Sequence, residues 1–275
     1  MRKFFAILMT FVLGVSAFAY DMALVQGGKV RGGNFDGCTI SSFYIGKYKV
    51  DAYDYSALMN GYLPCNYSFL DLWEKPMPVS EWHSIPAAGV SWCNAIIYCN
   101  RLSEQEGLTP CYASKGSKDK VTYSRIFDPF GENGFLEDVT CDWNANGYRL
   151  PTDAEWEFAS RSGTKQETLL YSGSEIQENA VNENKPYKLG LKKPNRLGLY
   201  DMCSTRIYEW CWDYFADDTS AFENSKNPKG PNKPNHEKER VVRGFNIFDR
   251  IGKDEDEGIT LYVLAMSIRL VRNAE

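Results

Sequence analysis

The sequence predicts a loop-rich α+β domain, and three observations carry that reading. Two stretches have helix signals: Trp92–Gln105, with apolar residues at helical spacing, and the run that opens at Thr152. Phe43–Val50 and Ile259–Leu264 have the alternation and the β-branched or aromatic content of strands. Twenty-two glycines and seven tryptophans in 275 residues call for many turns held by aromatic packing.

At the N-terminus, Arg2-Lys3, the apolar run Phe4–Val15 and Ala17-Phe18-Ala19 form a secretory signal with cleavage before Tyr20. Residues 1–19 are therefore read as a signal peptide and 20–275 as one domain, since no linker, low-complexity block or repeat divides them. A lipid anchor would need cysteine where Tyr20 stands. The apolar run is too short for a good membrane span, and no other segment is long and apolar enough. The expected location is periplasmic or extracellular. The formal charge is −5, and removing Arg2 and Lys3 makes the chain more acidic. That argues against a nucleic-acid partner or an anionic membrane surface.

Along the mature chain, Phe43–Val50 leads into a short helix, Ala52–Met59, for which Asp51 is the N-cap. Gly61–Ile85 is aromatic and broken by proline, a long loop in which His83 stands alone as a solvated side chain. Ser91 caps Trp92–Gln105, whose apolar stripe is Trp92, Ala95, Ile96, Cys99 and Leu102. Asn94, Arg101 and Glu104 fall on its polar side, and Gly107 ends it. Thr109–Glu137 reads as loop with a short hairpin around Val121–Ile126. Asn146-Gly147 is a turn. Thr152 and Glu155 then form a capping box that starts a helix carrying Trp156, Glu157 and Phe158, with Arg161 in its last turn and Gly163 as its stop. Asp217–Glu239, with three prolines and His236, is an exposed loop. Lys253–Gly258 is an acidic solvated turn that fails the EF-hand pattern.

Eight cysteines stand at positions 38, 65, 93, 99, 111, 141, 203 and 211, with no Cys-x-x-Cys among them. Cys93 and Cys99, six apart on one helix, face different ways and are read as buried thiols. Pairing elsewhere stays open.

One set of motifs points to a family. Arg149-Leu-Pro-Thr-Asp-Ala-Glu-Trp-Glu-Phe-Ala159 is followed by Gly198-Leu-Tyr-Asp-Met202 and Glu209-Trp-Cys-Trp-Asp213. Phe43–Tyr48, Gly89–Trp92 and Arg240–Gly244 stand in the matching order. From Met22 to Arg272 the chain resembles the formylglycine-generating enzyme (sulfatase-modifying factor) family. The resemblance implies an irregular α+β fold related to C-type lectins, with an opening strand over Met22–Val30 that turns at Gly27-Gly28. It also implies structural calcium, with Asn179 and Ala180 at one site and Glu209 at a second. The asparagine expected just before Glu209 is missing, because Ser204-Thr205-Arg206 stands in place of Gly-Asn.

In active members of that family two C-terminal cysteines bind copper, as soft thiolates suit Cu(I), and activate oxygen. Residues 212–275 contain no cysteine, and Cys203 and Cys211 read as packing residues. Copper is therefore not expected, and no catalytic residue is assigned. Phe245-Asn246-Ile247 replaces the usual Gly-Ser-Trp, and Ser267–Val271 replaces Gly-Phe-Arg-Leu-Val. The signal and the lack of those cysteines beside an intact frame lead us to expect an exported, non-catalytic module that binds an unidentified protein or small molecule, a role that the resemblance permits. The C-terminal segment is its binding face, with Phe245, Asn246, Phe248, Arg250 and Tyr262 as contacts. The alternative is a formylglycine-generating oxidase or a related iron oxidase. An iron site needs about two histidines and a carboxylate, and His83 and His236 share no motif. N-terminal sequencing of the chain recovered after export is expected to begin at Tyr20, and a retained Met1 would refute the signal.

Overall fold

The computed structural model describes residues 20–62, 78–125, 136–166, 188–203, 207–234, 238–255 and 265–274. Strands β1 (Met22–Val25), β2 (Gly28–Lys29), β3 (Thr39–Ile40) and β4 (Phe43–Gly46) precede helices α1 (Ala52–Leu58) and α2 (Trp92–Gln105). Then come β5 (Tyr112–Ser114), α3 (Asp119–Thr122), β6 (Val139–Cys141) and α4 (Asp153–Ser160). The chain closes with β7 (Ile207–Tyr214), β8 (Glu239–Arg243), β9 (Ile251–Asp254), β10 (Ala265–Ser267) and β11 (Val271–Asn273). This is the loop-rich α+β fold that the sequence predicts.

Local chemistry explains the helix starts. The side chains of Asp51 and Ser91 accept from the amides of Asp54 and Asn94, capping α1 and α2. Thr152 and Glu155 satisfy each other's backbone amides at the start of α4. Gly147, in the expected turn, lies so close to Ser103 and the Thr109 carbonyl that a Cβ there would come within 2.3 Å of that oxygen. Two expectations need correction. Asn94, placed on the polar side of α2, is buried, because the helix is covered on most sides. Among the described residues no hairpin forms at Val121, which lies in α3, and Ile126 lies outside them; β5 pairs with β6, so Tyr112 lies opposite Cys141.

The four-stranded sheet runs β10-β7-β8-β9 and separates two apolar clusters. Successive side chains of a strand point to opposite faces, and β7 uses this fully. Tyr208 and Trp210 join the cluster built on α2, while Cys211 joins the cluster built on α4. On the α4 face β7 also carries Glu209 and Asp213, both buried. A helix buried on all sides is normally apolar, yet every residue of α4 is buried, including Asp153, Glu155 and Glu157. Each carboxylate meets an arginine from outside the helix. Arg149 grips Glu155 with two bonds of 2.7 Å. Arg243 lies 3.3 Å from Asp153 and 3.0 Å from Glu157. Arg250 reaches Asp153 at 2.5 Å. Over Glu157 the chain passes at Gly33 (φ 80°), where a Cβ would sit 2.2 Å from a carboxylate oxygen.

Glu209 is the deepest of these acids. Arg269 donates to both of its oxygens, at 2.8 and 2.9 Å. Lys49 lies 2.9 Å from one oxygen and the Trp156 indole N–H 2.6 Å from the other. Burial pushes the carboxyl up, but Arg269 and Lys49 outweigh it and hold the group at about 2, against an ordinary 4.5. A carboxyl depressed on folding contributes stability that is whole above about 4.5 and is lost as pH falls towards about 2. Glu209→Gln would strand two buried cations and is expected to lower unfolding stability by about 3–5 kcal/mol, measured by denaturant titration at pH 7. Loss of under about 1 kcal/mol would show the pair to be incidental.

Asp213 behaves oppositely. Burial, and then the neighbouring Asp153, raise its carboxyl well above the ordinary 3.8. It accepts the Asp153 amide at 2.8 Å through one oxygen, and its other oxygen has no hydrogen-bond partner. A raised carboxyl contributes stability below about 3.8 that is lost as pH rises through the folded-state pKa. Asp213→Asn keeps the acceptor and removes that titration. Its melting temperature relative to the parent chain is therefore expected to rise between pH 4 and pH 8, and a pH-independent difference would contradict this account.

Candidate functional site

The β8–β9 connection holds four of the five expected contact residues, and the structure gives them different tasks. Gly244 turns the chain at φ 127°, and Phe245 is exposed. The Asn246 side-chain carbonyl accepts the amides of Phe248 and Asp249 at 2.8 and 2.9 Å, closing the turn. Ile247 is buried in the α4 cluster and Phe248 packs against that cluster. The guanidinium of Arg161 lies 5.5 Å from the centre of the Phe248 ring, and the Phe248 carbonyl accepts from Asn34 at 2.7 Å. Arg250 is held by Asp153 and donates to the Ala216 carbonyl at 2.7 Å. Phe248 and Arg250 thus fasten the loop down onto α4, Asn246 closes its turn, and Phe245 is turned to solvent. Tyr262 lies outside the described residues. Sequence reasoning could not sort these roles, because the partners Asp153 and Asn34 lie 97 and 214 positions away.

The calcium residues fare unevenly. Asn179 and Ala180 lie outside the described residues. Glu209 has both oxygens taken up by Lys49, Arg269 and Trp156, so none faces a metal. Calcium needs six or more oxygen ligands, roughly 2.3–2.6 Å away, and this donor set does not fit it.

Cys203 and Cys211 are buried in the α4 cluster, as packing residues would be. Burial raises both thiols, Cys203 to about 12 and Cys211 well above its ordinary range. Thiolates, the form that binds soft metals and attacks electrophiles, are disfavoured at both positions. Cys93, Cys99, Cys38 and Cys111 are buried.

His83 is not the isolated side chain that the sequence implies. The 3-10 turn Val79–Ser84 brings its Nδ1 to 3.2 Å from the Asp51 carboxylate, and the Tyr53 ring lies 4.1 Å from the imidazole. Donor atoms of Asp51, Asp54 and His83 all lie within 4.8 Å of one another, the one such group among the described residues. Burial, and then Asp51, raise the Asp54 carboxyl. Asp51 is already committed to capping α1. His236 lies outside the described residues.

With this geometry in view, the comparisons with known proteins are consistent with one another. A model of the sulfatase-modifying factor enzyme 1-like domain matches residues 16–256. The chain is 31% identical over 275 aligned positions to the chaperone protein LppX of Paenibacillus barcinonensis, with 90% of each protein covered. It is 29% identical to the formylglycine-generating enzyme of Thermomonospora curvata over 122 residues, which is 37% of this chain and 39% of that protein. Among solved structures, Treponema denticola variable protein 1 superposes with a TM-score of 0.65 at 25% identity, covering 92% of this chain and 95% of its own. On the family match and the length of the similarity to LppX, the chain belongs to the sulfatase-modifying factor enzyme 1-like domain family.

Proposed function

We propose that this chain is an exported, non-catalytic member of its family that binds another protein through its C-terminal segment, with Phe245 and Tyr262 on the contact face. The observation that carries this reading is the absence of any cysteine after Cys211, in a chain whose Cys203 and Cys211 are buried. The thiolate pair that an oxygen-activating copper site needs is missing, whereas the frame residues around it persist. The loop bearing Phe245 is braced from below by Arg243, Arg250 and Asn34. Such bracing lets outward residues serve recognition without disturbing the fold. The relative LppX is named as a chaperone, which favours a protein as the ligand. Export is supported by the signal-like start and by the anchoring of Tyr20 at the proposed mature terminus. Its hydroxyl bonds that of Tyr98, and its ring meets Tyr148 edge-on.

Two measurements test this proposal. A photo-crosslinking residue at position 245 is expected to give a protein adduct in intact cells, while one at Tyr123, which is 72% exposed, is expected to give none. Equal labelling at both positions would remove the case for this face. Incubation with copper, oxygen and a Cys-x-Pro-x-Arg peptide is expected to leave the peptide mass unchanged. Conversion of its cysteine to formylglycine would establish the oxidase reading instead, which the similarity to the Thermomonospora curvata enzyme favours.

A further inference from the structure

A carboxylate sealed from water needs positive charge close by. The family resemblance implies a calcium ion at Glu209, and the structure supplies other cations there. Lys49 comes from the segment between β4 and α1, far from Glu209 in sequence, and its side chain is wholly buried. Its ammonium lies 2.9 Å from a Glu209 oxygen and also donates to the Asp201 backbone carbonyl. Carboxylate and loop-carbonyl oxygens are the donor types that hard cations take, and here the ammonium takes one of each. Asp201 adopts the left-handed conformation, φ 56°, and the Lys192 ammonium meets the carbonyl of Cys203 at 3.4 Å on the same loop.

We infer that the Lys49 ammonium is a built-in replacement for a structural metal ion at Glu209, so that this site takes no divalent cation. Charge and geometry both point there. One carboxylate already faces two fixed cations, Lys49 and Arg269. A dication entering between them would meet like charge in a medium that screens poorly. The loop has also lost the asparagine that the resemblance places just before Glu209, as Ser204-Thr205-Arg206 occupies that stretch. A lysine that satisfies the carboxylate leaves such a ligand with nothing to bind.

The test is thermal unfolding of the full chain in excess calcium chloride and in chelator, for the parent, Lys49→Ala, Lys49→Met and Glu209→Gln. Parent and Glu209→Gln are expected to show the same calcium response, whatever its size. Lys49→Ala vacates the ammonium's place beside Glu209, so it is expected to melt lower and to recover with calcium by several degrees more than the parent responds. Lys49→Met fills that place with an apolar group and is expected to melt lower without the added recovery. A parent response that Glu209→Gln abolishes, or a Lys49→Ala response no larger than the parent's, would overturn the inference. Should the variants fail to fold, parent crystals soaked in terbium decide the matter. An anomalous peak within about 2.6 Å of Glu209 would overturn it, and a clear map there would sustain it.

Discussion

Burying carboxylates without water is the constraint on which the rest of this structure depends. Glu209 on β7 and the three acids of α4 lie at the junction between sheet and helix. Left unpaired there, each would be costly to the fold. The solution is to draw cations mostly from distant segments: Lys49 from before α1, Arg243 and Arg250 from the β8–β9 region and Arg269 from between β10 and β11, with Arg149 from the turn just ahead of α4. These pairs are directional as well as neutralising, because a guanidinium fits a carboxylate in only a few orientations. They therefore fix where loops with little regular structure of their own must lie. Aromatic packing follows the same logic. The Arg240 guanidinium sits between Trp92 and Tyr214, 3.8 and 3.6 Å from their ring centres, and its Nε reaches Glu255 at 2.7 Å.

This arrangement divides the labour between frame and surface. In the β8–β9 connection Asn246 and Arg250 carry side-chain bonds, Ile247 and Phe248 pack inward, and Phe245 is exposed. A loop held in this way tolerates change at its exposed positions, since little folding energy resides there. A chain with no cysteine in residues 212–275 can therefore keep this frame. The frame depends on buried ion pairs and helix caps, none of which involves a cysteine. The lack of cysteine after Cys211 and the integrity of the fold are separate observations, and the functional proposal rests on both.

Much of the fold was legible from sequence because its signals are local. Asp51, Ser91 and Thr152 bond to amides three positions on, so their caps can be read from a few residues. Helix α2 begins and ends where Ser91 and Glu106-Gly107 place it. The Val121 hairpin failed for a related reason: a β-branched residue in a short run does not choose between a helical turn and a strand until a partner is present. The real partner of β5 lies beyond the next loop, at Val139–Cys141.

The site was legible only in part. The sequence by itself determined the frame, the capped helices and the lack of late cysteines, since spacing and residue type suffice for those. Tertiary structure decided that Arg250 pairs with Asp153, that His83 meets Asp51 and that Lys49 pairs with Glu209. Those assignments depend on pairing across 97, 32 and 160 positions respectively. A charged side chain shows what it can bind, but only the folded chain brings the opposite charge within reach and removes the water that would otherwise weaken their attraction.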